Sequence, residues 1–137
     1  MQINAYLSFD GQCEAAFQLY EQVFGGKIEG VFRYEGTPIE GQVPPEWRQK
    51  IMHITLGVGQ SQIMGADAQP GQSSGPAKRF CMSINLKDTE EAKRIFNGLA
   101  EGGQIQMPLA PTFWAAQFGM LTDRFGIPWM VNCEAPK

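Results

Sequence analysis

"AFQLYEQVFGGKI", residues 16–28, is matched further along the chain by "AKRIFNGLAEGGQI", residues 92–105. In the first stretch Cys13, Ala16, Phe17, Tyr20, Val23 and Phe24 fall on one face of a 3.6-residue period, predicting an amphipathic helix over Gln12 to Gly25. In the second, Ala92, Ile95, Phe96 and Leu99 predict another over Thr89 to Ala100. Each helix ends at a glycine pair, Gly25-Gly26 and Gly102-Gly103, as expected where a C-cap adopts the left-handed conformation. Ala16, Tyr20 and Val23 match Ala92, Phe96 and Leu99 at an offset of 76, and the glycines match at 77. The two stretches are therefore copies of one unit, and repeats of this size determine architecture.

Strand signals surround both copies. "INAYLSF" precedes the first helix, and "KIEGVFRYEG", "KIMHITLGVG" and "SQIMGAD" follow it. "RFCMSINL" precedes the second, and "QIQMPL", "TFWAAQFGMLTD" and "PWMVNC" follow. Gly36 to Trp47, with three prolines, reads as a loop. Alternation in the third strand puts Met52, Ile54, Leu56 and Val58 on one face, and Ile51, His53, Thr55 and Gly57 on the other. The Gly-, Pro- and Ser-rich stretch 68–78 separates the halves. The expectation is one domain of two βαβββ modules, 1–67 and 79–137, about a linker at 68–78. Its class is α+β, a curved mixed sheet around a cleft. One helix covers one face of its sheet, and two such units side by side enclose a concavity of the kind that takes small molecules.

Composition narrows the partners. The 137 residues carry 43% hydrophobic and 18% charged residues with a net charge of −3, which suits a globular core. Lys and Arg are scattered, so no nucleic-acid footprint is present. No apolar run reaches the roughly 20 residues that span a bilayer, and the N-terminus lacks the pattern of a signal peptide. Three widely spaced cysteines, Cys13, Cys81 and Cys133, suit neither a disulfide framework nor a zinc finger. A cytoplasmic protein with no nucleic-acid or membrane partner is expected.

Three phrases, "YLSFDGQCEAAFQLYEQVFGG", "IMHITLGVGQSQIMGAD" and "PTFWAAQFGMLTDRFGIPWMVNC", resemble the PhnB-like branch of the vicinal oxygen chelate superfamily. That is the glyoxalase, bleomycin-resistance and dioxygenase fold of paired βαβββ modules. The resemblance implies a homodimer. It also implies a His on the first strand and an acid on the last strand of each module wherever a member holds a divalent metal. Counting from Asp123 through Gly126, the last acid position holds Met130. The first-strand positions fall at Asn4 or Ala5 and at Cys81, and the remaining acid position near Met64 or Gly65, with Asp67 just beyond. Thioether and amide groups are poor ligands for such an ion. No metal and no cofactor are expected. Some relatives are described as ubiquinone-biosynthesis methyltransferases, but no strand here runs into the glycine-rich turn that holds a nucleotide-like cofactor.

The candidate ligand-binding residues are Tyr6, His53, Asp67, Cys81, Trp114, Met130 and Asn132. His53 faces the concavity if the apolar row of its strand packs under the helix, and its near-neutral titration suits acid–base work. A histidine hydrogen-bonded to a neighbouring strand is the alternative role. Asp67 either orients a substrate or His53, or caps a turn. Asn132 shares strand parity with Met130, and its amide either orients a ligand or bonds to backbone. Trp114 is the aromatic expected to line the cavity, and Cys81 the cysteine placed to approach His53. Two functions fit: a non-metal protein binding a small organic molecule, and an enzyme using His53 and Asp67 or a relocated metal.

Overall fold

A computed structural model describes residues 1–71 and 80–135. The chain divides into two compact units, Met1–Ser74 and Gly75–Lys137. The linker expected at 68–78 lies outside the described residues from position 72 onward.

The first unit runs β1 (Ala5–Phe9), α1 (Cys13–Phe24), β2 (Lys27–Arg33), β3 (Ile51–Val58) and β4 (Ser61–Asp67), with two short 3-10 turns, Glu40–Gln42 and Pro45–Trp47, before β3. The second runs β5 (Met82–Leu86), α2 (Thr89–Ala100), β6 (Gln104–Ala110), β7 (Ala115–Thr122) and β8 (Pro128–Glu134). Their sheets have the same order, β1-β4-β3-β2 and β5-β8-β7-β6. In each, the first and last strands of the unit pair in parallel and the other neighbours are antiparallel. The fold is α+β with two mixed four-stranded sheets, and each unit repeats the βαβββ order expected from the sequence.

Each helix buries one face of its own sheet. Leu7, Phe9, Ile51, Ile54, Leu56 and Ile63 pack with Ala16, Phe17 and Tyr20 in the first core. Leu121, Trp129, Val131 and Cys133 pack with Ala92, Phe96 and Leu99 in the second. Among the described residues, no helix is long and apolar enough to cross a membrane.

The paired glycines serve two different purposes. Gly25 and Gly102 have positive φ, +68° and +75°, which side chains resist. Gly26 and Gly103 do not. There a Cβ would run into the backbone carbonyl oxygens of Gly57 and Thr122, which occupy matching places on β3 and β7. Close approach of helix end to sheet, rather than chirality, demands the second glycine of each pair.

One face assignment is corrected. Phe32 pairs with His53 and Arg33 with Ile51, so one step along β2 spans two along β3. Met52 is the extra residue of a bulge, and the parity of β3 reverses there. Ile51, expected beside His53, is instead fully buried under α1.

Candidate functional site: the sheet faces turned away from the helices

Strand register decides which residues share the outer face of each sheet. In the first unit Tyr6 pairs with Met64, Met64 with Thr55, and Thr55 with Gly30, while His53 pairs with Phe32. Tyr6 Oη lies 3.1 Å from His53 Nδ1, and His53 Nε2 lies 3.2 Å from Thr55 Oγ1. Burial pushes the Tyr6 phenol up, with a smaller contribution from the neighbouring Cys13, so it stays protonated at neutral pH. A phenol donating to Nδ1 leaves the proton of the neutral ring on Nε2, aimed at Thr55.

In the second unit the equivalent row is Ser83, Met130, Met120 and Met107, followed one step on by Asn85, Asn132 and Phe118. Cys81 Sγ approaches Met130 Sδ at 3.4 Å. Asn132 Nδ2 donates to Asn85 Oδ1 at 3.3 Å, and Ser83 Oγ donates to the same oxygen at 3.4 Å. The other end of the Asn132 amide, Oδ1, is buried with no hydrogen-bond partner. Trp114 packs edge-on against Phe118, with ring centroids 5.3 Å apart, and is itself half-exposed. That contact brings it to the residue paired with Asn132.

Asp67 stands elsewhere. It pairs with Phe9 on the helix side of the sheet and is 1% exposed. Its Oδ1 accepts from Gly11 N and Cys13 N and its Oδ2 from Ile51 N, all at 2.9 Å. Tyr34 Oη donates to its backbone oxygen at 2.7 Å. The expected pairing of Asp67 with His53 is thus not made: the two lie on opposite faces of one sheet. Cys81 and His53 belong to different units, and within its own unit Cys81 meets Met130.

Register also places the positions that the resemblance to the vicinal oxygen chelate superfamily assigns to a divalent ion. Gly65 and Ala5 point to the helix side, where a Cβ on Gly65 would come within 2.7 Å of the Phe17 ring. Met64 and Asn4 therefore take the outer-face places that Met130 and Cys81 take in the second unit. Two thioethers, an amide and a single thiol do not make up the set of imidazole, carboxylate or thiolate ligands that a divalent ion takes. Among the described residues no three His, Cys, Asp or Glu side chains gather to hold one.

Both helix N-termini, the usual anchorage for a phosphate, are already occupied. Asp67 fills that of α1, and the Asp88 carboxylate accepts from Glu90 N and Glu91 N at that of α2. A cavity of ≈ 630 Å³ lies beside α1, lined by Glu14, Arg33, Glu46, Gln49 and Lys50 among others. Its cations are engaged: Arg33 with Glu14 and Gln49 O, Lys50 with Gly11 O. The outer faces, where polar groups converge with unspent valence, are the better candidate.

Thr55, Ser83, Asn85 and Met120 were not singled out from the sequence. The signal for Ser83 and Asn85 was present, since they continue the parity of Cys81 along a strand whose alternate residues are apolar. Thr55 shares the strand parity of His53, and Met120 is visible only through cross-strand register.

Residues 1–132 match the family model described as 3-demethylubiquinone-9 3-methyltransferase. The Protein YjdN of Escherichia coli K12 is 35% identical over 142 residues, covering 96% of this chain and 95% of that protein. The crystal structure of protein PA1353 from Pseudomonas aeruginosa is 48% identical, with a TM-score of 0.89 and 98% of both chains covered. The PhnB protein of Bacillus cereus is 25% identical, with a TM-score of 0.80 over 97% of this chain and 99% of that one. The fold alone recurs in the fosfomycin resistance protein FosX of Listeria monocytogenes, 9% identical with a TM-score of 0.65 over 98% and 94% of the two chains. With its paired βαβββ units and a family match spanning both of them, the chain belongs to the 3-demethylubiquinone-9 3-methyltransferase, or PhnB-like, family.

Proposed function

We propose that this protein binds a small organic molecule on the outer face of its second sheet, without a divalent metal at the positions the superfamily uses. The carrying observation is Asn132. One end of its amide is tied to Asn85, and the other is a buried acceptor with no partner. Leaving such a group unmade costs about 1–3 kcal/mol, which a ligand N–H or O–H would recover. The surrounding Met120, Met130 and Phe118 supply the apolar contact, and Trp114 extends it. Methyl transfer is not favoured: the turn from β1 into α1 holds one glycine, and its amide is spent on Asp67.

The test is a thermal-shift screen of small metabolites against wild type and Asn132→Leu. A ligand at about 100 times its Kd stabilises by about 2.7 kcal/mol. At least one compound should raise the wild-type melting temperature and fail to raise that of the variant. Elemental analysis of protein purified without added metal that finds one divalent ion per chain, held through dialysis, would sink the proposal.

A second reading is an enzyme using His53, and the Tyr6–His53–Thr55 chain is the observation that favours it. Asp67 is removed from its acid–base pair by position, while a relocated metal stays part of this alternative. His53→Ala would then abolish turnover of any substrate found by the screen while leaving the fold intact. The homodimer, the cytoplasmic location and the single domain of modules 1–67 and 79–137 remain parts of the proposal, the first checked by sedimentation equilibrium.

A further inference from the structure

Sulfur is concentrated on the outer face of the second sheet. Cys81 Sγ and Met130 Sδ are in contact at 3.4 Å and half-buried. Met120 pairs with Met130 in register, and Met107 with Met120. The helix side of the same strands is filled instead by Leu121, Trp129 and Val131. A thiol and a thioether this close present two soft donors to one point from the same side. An ion resting there calls for a third donor, and Met120, leaving the same face of the adjacent strand, is placed to give it.

We propose that Cys81, Met130 and Met120 bind a soft monovalent ion, Cu(I) or Ag(I). Thiolate and thioether sulfur select such ions over the hard divalent ones, and a set with two thioethers to one thiolate favours them over Zn(II), which takes several thiolates, imidazoles or carboxylates. The chemistry that unfits the face for Mg(II) or Mn(II) is the chemistry that suits it here. Binding exchanges a proton for the ion: the Cys81 S–H bond breaks, an S–metal bond forms, the proton passes to buffer, and no electron is transferred. The two thioethers donate without losing a proton. The other cysteines do not compete, because Cys13 and Cys133 are fully buried in the helix-side cores. The proposal does not depend on the organic ligand: Asn132→Leu, which tests that reading, leaves all three sulfurs in place.

The experiment is titration of the reduced full-length chain with Ag(I) in chloride-free buffer, followed by calorimetry, with proton release read from the buffer dependence of the heat. Wild type should take one Ag(I) per chain and release one proton. Cys81→Ser and Met130→Leu should each weaken binding at least about tenfold. Met130→Leu conserves volume and should stay folded. Should Cys81→Ser fail to fold, alkylation of Cys81 in the folded wild-type protein replaces it and should abolish uptake. Undiminished affinity in Met130→Leu would reduce the site to a reactive thiol and overturn the proposal. Equal uptake by wild type and the Cys81-blocked protein, or retention of Zn(II) in preference to Ag(I), would overturn it as well.

Discussion

The Asp67 carboxylate holds the backbone N–H of Cys13 at 2.9 Å across 54 positions of sequence. It thereby supplies from β4 the N-terminal cap that the side chain of Gln12 does not give α1. The same carboxylate also takes Gly11 N and Ile51 N, so the helix start and the β1, β3 and β4 strands meet at one buried side chain. A negative charge at a helix N-terminus is favoured by the helix dipole as well as by the hydrogen bonds.

Asp67→Ala should therefore destabilise the protein by about 3 kcal/mol, because it leaves two buried donors and one part-buried donor without their partner. Asp67→Asn keeps an acceptor for Gly11 and Cys13 but turns an amino group toward Ile51 N, and should cost less, about 1–2 kcal/mol. Urea denaturation of both variants checks the order. An Asp67→Ala protein as stable as wild type would show that water replaces the carboxylate.

At Gly26 and Gly103 an added methyl group meets main-chain oxygen, which cannot swing aside as a side chain can. Gly26→Ala and Gly103→Ala should each cost about 1–3 kcal/mol by overpacking. Gly41→Ala, with open space at its Cβ, should cost little. Thermal melts of the three variants side by side measure the contrast.

Thiol reactivity should be confined to one residue. Burial, reinforced by the Asp67 and Glu14 carboxylates, pushes the Cys13 thiol far above its ordinary value. Burial, with Asp88 and Glu134, pushes Cys133 in the same direction. Reaction needs the thiolate and access to it. Ellman's reagent at pH 8 should thus count one fast thiol, Cys81, in the folded protein and three in denaturant. Two fast thiols in the folded state would contradict the burial of one core.

The Glu14 carboxyl is held below its ordinary range, chiefly by its hydrogen bond from Arg33. A carboxyl depressed in the folded state adds stability above its unfolded value, near pH 4.3, and loses it as the pH falls through the folded value. Both side chains are more than a third exposed, or close to it (48% and 35%), so the pair is worth under about 1 kcal/mol. Glu14→Gln should be slightly less stable than wild type at pH 7, and the difference should begin to shrink as the pH falls below about 4.3, close once the pH is below the depressed folded value, and shrink in 1 M salt. Chemical denaturation across that pH range reads the sign directly.

Local periodicity determined most of the elements. The second helix runs from Thr89 to Ala100 as its apolar spacing dictates, and the duplicated helix–Gly-Gly segments imply the common strand order of the two sheets. These are short-range properties: a 3.6 period, a left-handed cap and a turn are set by neighbouring residues. Of the candidate site, the contacts Tyr6–His53 and Cys81–Met130 join residues the sequence had already marked; parity gave the residues of each strand a common face, and helix packing decided which face is outer. Tertiary structure decided the rest. The bulge at Met52 sent Ile51 to the core, and the register of β1 on β4 put Asp67 under the helix, away from His53. Register also supplied Asn85 as the partner of Asn132 and Met120 as the neighbour of Met130. A one-residue shift in pairing moves a side chain to the opposite face, and that shift is set by contacts between strands far apart in the chain.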